Sequence, residues 1–279
     1  MTHSFQKLCV GLDVGGTTAR ATVVRDRSVI GTGRARGGNF RQVGPEQVLA
    51  SIEVAIMNAL PNVEFAECHV HAGVAGLATE EDELELLSLP HRFASLSAES
   101  DARLALGAYF GGGPGVLLIV GTGSIVLGKN LAGREGRRLG FGFPLETTGG
   151  AALGLALLRA ALARLQHGHL TPLSHLVSQQ LGDPREIVDA ARGRGPDWYA
   201  AHAGLLFEAA DLGDREARNL LDVWRFECRD AVETLRGELG VTNWGAWGGL
   251  AGRIGELTDG FQGPVTTPEV WGAGVAGGR

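Results

Sequence analysis

Apolar residues gather first into a short run, Leu8-Cys9-Val10-Gly11-Leu12, which ends on Asp13-Val14 and breaks at Gly15-Gly16. Thr17-Thr18 follow, and residues 19–24 form a second run rich in small and β-branched side chains. This pattern predicts strand, tight turn, strand. Residues 29–36 continue as the third strand of a meander. The period then changes: Val48, Leu49, Ile52, Ile56 and Leu60 share one face of a helix over 45–60. A strand is predicted over 68–74, ending in the loop Gly73-Val74-Ala75-Gly76. Thr79, with Asp82 three residues on, reads as a capping pair for an acidic helix over 79–87. A short strand over 93–96, a helix over 102–109 and a glycine-rich connector over 110–115 complete this half.

The second half restarts with the same grammar. Residues 116–120 are an apolar strand, Gly121-Thr122-Gly123-Ser124 a turn, and 125–129 the returning strand. A glycine-rich stretch over 140–154 leads into a helix over 151–166. Helices over 174–181, 186–192, 198–211 and 214–239 read as an insertion. A strand over 241–247 precedes Gly248-Gly249, which is expected to open another helix. A strand over 265–267 and a helix over 269–276 finish the chain. Two units of one design indicate a duplicated α/β domain. The expected domains are residues 1–109 and 110–279, facing each other across a central cleft.

Composition narrows the function classes. A chain of 279 residues can hold two modest cores. The 44 glycines are spread along the chain in pairs, so they signal tight turns and not a low-complexity tail. A net charge of −6 with no Lys/Arg block excludes nucleic acid and an anionic membrane as expected partners. The three cysteines, Cys9, Cys68 and Cys228, are far apart, which predicts a reducing compartment. No charged-then-apolar leader and no apolar stretch long enough for a bilayer is present. The expected location is the cytoplasm.

The first turn carries the candidate chemistry. Glycine lets a backbone approach phosphate oxygens, and a carboxylate such as Asp13 can hold Mg²⁺ directly or through water. No Gly-Lys-Ser/Thr closes the turn, and no G-x-G-x-x-G opens a helix after it. An ordinary hairpin turn explains the same residues when they are taken alone. Asp101 sits at a strand-to-helix junction, where position fits both a helix cap and a general base.

Five motifs in order make a resemblance specific: Asp13-x-Gly15-Gly16-Thr17-x-x-Arg20, Ser100-Asp101-Ala102, Gly121-Thr122-Gly123-Ser124, Gly140-Phe141-Gly142-Phe143-Pro144 and Gly248-Gly249. Nearly the whole chain resembles the actin-like ATPase superfamily. Within it, the chain is similar to the N-acetylglucosamine kinase and glucosamine kinase branch, grouped with the BadF/BadG-type ATPases. The resemblance implies two ribonuclease-H-like domains, ATP and Mg²⁺ as cofactors, and an amino-sugar substrate phosphorylated at O6. It implies that Asp13 holds hydrated Mg²⁺. Gly15, Gly16, Thr17 and Thr18 would form a first phosphate loop, and Gly121, Thr122, Gly123 and Ser124 a second. Gly248 and Gly249 would lie against adenosine, and Asp101 would be the catalytic base. Asn39, Ala75 and Gly76 would line the sugar pocket, and a family tendency to pair implies a homodimer.

One stretch departs from the family pattern. Relatives carry Gly-Asp-Glu-Gly-Ser-Gly where this chain has Glu146-Thr147-Thr148-Gly149-Gly150, so the alignment needs a one-residue gap. The acid that grips sugar hydroxyls would then fall on Glu146. Two other functions stay open: a nucleotide- or sugar-binding sensor with weak catalysis, and an ATPase driving a partner protein. The cysteine pair that holds an iron–sulfur cluster in the activator branch is missing. Cys68-His69-x-His71 is not expected to bind metal, because strand alternation puts Cys68 on the opposite face from the two histidines. The tryptophans are expected in the core or at an interface.

Overall fold

A computed structural model describes residues 7–26, 28–254 and 261–265. The chain divides into two compact units, whose described residues lie within 7–113 and 114–265.

In the first unit, β1 (Leu8–Val14), β2 (Thr18–Arg25) and β3 (Ser28–Arg36) form the meander. A single helical turn, α1 (Phe40–Val43), precedes α2 (Pro45–Ala59). Then follow β4 (Cys68–Val74), α3 (Glu80–Leu87), β5 (Ser95–Ser100) and α4 (Asp101–Tyr109). The sheet order is β3-β2-β1-β4-β5, with β1, β4 and β5 parallel. Val10, Leu12 and Val14 of β1 pack with Val48, Ile52 and Ile56 of α2 in one core. The helix and the strand each present the apolar face that their periods place together.

In the second unit, β6 (Gly115–Val120), β7 (Ser124–Lys129) and β8 (Glu135–Leu139) form another meander. Five helices follow: α5 (Gly150–Leu165), α6 (Pro172–Leu181), α7 (Pro184–Ala191), α8 (Pro196–Asp211) and α9 (Arg215–Leu239). The chain then enters β9 (Trp244–Trp247), a 3₁₀ turn at Ala251–Arg253 and β10 (Phe261–Val265). The order β8-β7-β6-β9-β10 repeats that of the first sheet, with β6, β9 and β10 parallel. The two-domain ribonuclease-H-like α/β fold follows from this repetition. In α9, Ala217, Leu221, Trp224, Cys228, Ala231, Val232, Leu235 and Leu239 are buried. That stripe at helical spacing lies on β6, β7 and β8.

Several boundaries differ from the sequence expectation. The strand expected over 93–96 is Ser95–Ser100. Phe93 is instead a buried ring edge-on to Phe65. The polar Ser95 and Ser97 stay in the strand because their hydroxyls lie 2.9 and 2.8 Å from Nδ1 of His69 and His71 across the sheet. His71 Nε2 in turn lies 2.7 Å from Glu99 Oε1. β8 had no apolar signature because it is an edge strand carrying Glu135, Arg137 and Arg138. After Gly248-Gly249 the chain makes only a 3₁₀ turn before residue 255, and the helix expected over 269–276 lies outside the described residues. Among the described residues no helix is long and apolar enough to cross a membrane.

Candidate active site

The first unit gathers its candidate residues at the C-terminal ends of β1, β4 and β5. Parallel pairing sets Asp13 level with Gly73 and Glu99, so Gly15-Gly16, Ala75-Gly76 and Asp101 all follow at one edge. Ligands of open α/β sheets bind at that edge. Asp13 and Arg20 stand directly opposite in the β1–β2 register, and Arg20 Nη1 is 3.0 Å from Asp13 Oδ2. Burial raises the Asp13 carboxyl above its ordinary range, and Arg20 opposes that shift.

The turn at Gly15–Thr18 is closed by Gly15 N–H donating to Thr18 O at 3.0 Å. It is braced by residues that sequence reasoning passed over. Gly37 N–H donates to Thr17 O, and Gly38 N–H to Gly15 O, each at 3.0 Å. A Cβ on Gly37 would stand 2.6 Å from Thr18 N, so only glycine lets the strand end lie against the turn. The Gly-Gly pair after β3 was the available signal. Gly16 and Thr17 are exposed, and a Cβ on Gly16 would meet nothing within 4 Å. The unit's own packing therefore does not demand glycine at 16, and the turn leaves room for a ligand.

Asn39 and the Ala75–Gly76 loop lie together. Phe40 N–H donates to Ala75 O at 2.8 Å, and Ala75 N–H to Val14 O at 2.8 Å. Asn39 Oδ1 caps α1 by accepting from Arg41 N–H at 3.1 Å. Gly76 has φ 83°, and a Cβ there would be 2.7 Å from Asn39 Cγ. Arg41 then reaches Asp82 at 2.7 Å, and Asp82 closes the capping box of α3 with Thr79. The expected cap thus also ties the Asn39 segment to the helix after Gly76.

Asp101 is freed from capping duty. Ser100 is the N-cap of α4, accepting from Arg103 N–H at 3.2 Å. Asp101 Oδ1 accepts a local bond from Ala102 N–H at 2.8 Å. Burial raises its carboxyl, the Ala102 N–H opposes this, and the negative charge of Asp13 raises it further. A half-buried carboxylate with an elevated pKa beside a second acid is suited to accepting a proton.

The second unit repeats the arrangement at the ends of β6 and β9. Thr122 and Gly123 are exposed at the tip of the Gly121–Ser124 turn. A Cβ on Gly121, Gly123 or Gly249 would meet nothing within 4 Å. Gly248 has φ 111° and lies against β6, where a Cβ would stand 2.8 Å from the Val120 carbonyl carbon. Behind the turn, Gly150 N–H donates to Gly121 O at 2.8 Å and Ala151 N–H to Thr122 O at 2.9 Å.

Two second-unit residues have side chains turned inward. Ser124 is buried, with its hydroxyl 2.6 Å from Thr148 Oγ1. Glu146, expected to grip a sugar hydroxyl, is 4% exposed. Its Oε2 accepts from the N–H groups of Gly140 and Phe141 at 2.7 and 3.2 Å. Its Oε1 accepts from Thr147 N–H, Thr148 N–H and Thr148 Oγ1 at 2.9, 3.3 and 2.8 Å. A carboxylate offers about four lone-pair sites, so these donors saturate it. Burial alone would raise this carboxyl, but the hydrogen bonds outweigh it and hold the group below its usual range. Trp224 and Trp244 are core residues, each 2% exposed. Cys68 and Cys228 are buried, and burial pushes their thiols up to about 11 and about 12.

Known proteins resemble this chain in sequence and in fold. The chain is 34% identical over 230 residues to a glucosamine kinase of Vibrio cholerae, covering 76% of this chain and 74% of that one. It is 30% identical over 239 residues to an N-acetyl-D-glucosamine kinase of Dictyostelium discoideum, covering 77% and 75%. The fold matches the crystal structure of a protein from Chromobacterium violaceum described as a putative N-acetylglucosamine kinase. There the TM-score is 0.82 at 24% identity, with 90% of each chain covered. The BadF/BadG/BcrA/BcrD ATPase family matches residues 10–253, and the chain belongs to it.

Proposed function

We propose that this protein is an ATP-dependent carbohydrate kinase that transfers the γ-phosphoryl group to glucosamine or N-acetylglucosamine, at O6. The observation that carries the reading is Asp101. It stands at a strand end beside Asp13, is relieved of capping by Ser100, and has a carboxyl raised by burial. The two relatives named as amino-sugar kinases support the substrate class.

In this reading Asp101 accepts the proton of the sugar hydroxyl. The hydroxyl oxygen forms a bond to the γ-phosphorus, the bond from that phosphorus to the bridging oxygen breaks, and ADP leaves. Asn39, Ala75 and Gly76 orient the sugar. Gly15, Gly16, Thr17 and Thr18 take phosphate oxygens, as do Gly121, Thr122 and Gly123. Ser124 contributes its backbone, since its hydroxyl faces Thr148. Gly248 and Gly249 lie against the adenosine. A homodimer in solution remains part of the reading, and light scattering checks it.

The donor chemistry fits Mg²⁺. Asp13 is a hard carboxylate at the start of the phosphate turn, with Arg20 on its Oδ2 at 3.0 Å and Asp101 nearby. A cation that keeps its waters and takes further ligands from phosphates suits such a site. Asp13 would hold it, and the ion supplies neutralisation of phosphate charge.

The test is coupled ADP release across hexoses, hexosamines and N-acetylhexosamines, with the phosphorylated position read by NMR. ADP release that needs an amino sugar supports the reading. Hydrolysis indifferent to sugar would return the protein to the ATPase alternative. The pH profile is a second check. The base must be ionised, and its carboxyl is raised, so turnover falls as pH drops through a value above the ordinary aspartate range. A profile with no acid limb at all would remove Asp101 from the role.

A further inference from the structure

We infer that Glu146 is a positioning residue for the second phosphate loop, acting through Thr148 and Ser124, and not a sugar ligand. The inference rests on the kinase reading and deepens it. It follows from hydroxyl bookkeeping. Thr148 has one O–H, and Glu146 as a carboxylate can only accept, so the hydrogen on Thr148 Oγ1 points to Glu146 Oε1 at 2.8 Å. The 2.6 Å bond between Ser124 and Thr148 must then be donated by Ser124. The hydroxyl of Ser124 is thereby turned inward, and its hydrogen is not available to a phosphate.

The same segment carries the loop's backbone. Gly149 follows Thr148, and a Cβ on Gly149 would stand 2.6 Å from Thr122 O and 2.7 Å from Gly123 Cα. Gly150 N–H and Ala151 N–H hold the carbonyls of Gly121 and Thr122. Trp224 Nε1 donates to Thr148 O at 2.6 Å, fixing the segment from α9. Glu146 therefore anchors residues 140–149 at one end, and the loop Gly121–Ser124 rests directly on the other. The shortened sequence Glu146-Thr147-Thr148-Gly149-Gly150 is a buttress whose output is the direction in which Thr122 and the glycines point.

The test uses the full-length enzyme and four readouts: ADP affinity by calorimetry without sugar, KM for ATP, KM for the amino sugar, and Tm. Thr148→Val keeps the side-chain shape and removes both hydroxyl bonds. It lowers ADP affinity and raises KM for ATP by about tenfold, the scale of one buried hydrogen-bond network broken. KM for the sugar stays within about twofold of wild type. Thr148→Ser restores ADP affinity, which a loss of packing alone would not explain. Glu146→Gln, which puts an amide donor among donors, shifts ADP affinity in the same direction. ADP affinity unchanged in folded Thr148→Val, or a rise in sugar KM alone in Glu146→Gln, overturns the inference. Failure of the kinase reading shows differently, as wild-type protein that binds ADP but turns over no sugar.

Discussion

Asp101→Asn abolishes most sugar-dependent ADP release, lowering kcat about 10²- to 10⁴-fold while ADP still binds. The same substitution raises stability at neutral pH. The carboxyl is raised in the folded state by burial, with Asp13 adding to it. As pH rises, the unfolded chain loses this proton first, so above the unfolded pKa the folded state carries a penalty that grows until both states are ionised. Asparagine does not titrate and can still accept the Ala102 N–H bond. The Tm of Asp101→Asn therefore exceeds that of wild type at pH 7, and the gap closes on acidification. Calorimetry across that pH range, beside the kinetic assay, checks both halves. Wild-type turnover in the variant, or a Tm gap that widens in acid, would contradict the assignment of a desolvated base.

Gly154→Ala destabilises the second unit, against the rule that alanine improves a helix interior. Propensity alone favours alanine by about 1 kcal/mol. At Gly154, in α5, a new Cβ would stand on the Tyr199 carbonyl oxygen and 2.6 Å from its carbonyl carbon. The obstacle is the backbone of α8, which cannot rotate aside, so overpacking costs about 3 kcal/mol and wins. The net loss of about 2 kcal/mol lowers Tm by about 4–8 °C. Gly204, in α8 and exposed, is the control, because a Cβ there meets nothing within 4 Å. Gly204→Ala raises stability by about 0.5–1 kcal/mol. Thermal melts of the two variants side by side separate close helix contact from intrinsic propensity.

Much of the fold was legible because local periods are local physics. The β1 turn, the apolar face of α2, the Thr79–Asp82 cap and the long α9 stripe all follow from side-chain spacing. The repetition of strand, Gly/Thr turn and strand pointed to a duplicated domain, and the structure adds that both sheets share one order. β5 was misread and β8 was passed over, because their polar residues are satisfied in ways that local spacing does not display. Ser95 and Ser97 answer His69 and His71, and β8 is an edge strand that water can solvate. The single turn α1 carries no periodic signal, and its cap comes from Asn39 alone.

The residue types at the site were set by the sequence: two acids, two hydroxyl-and-glycine turns and a glycine pair after β9. Their orientation was a tertiary outcome. Asp101 and Ser100 are neighbours with equally good capping chemistry, and only the folded backbone made Ser100 the cap. Glu146 reads as a free acid in a glycine-rich loop, yet the loop closes around it and five donors converge on its two oxygens. Spacing along a chain states which groups can be near one another, whereas the direction of a hydroxyl or carboxylate depends on which donors the packed backbone brings to it.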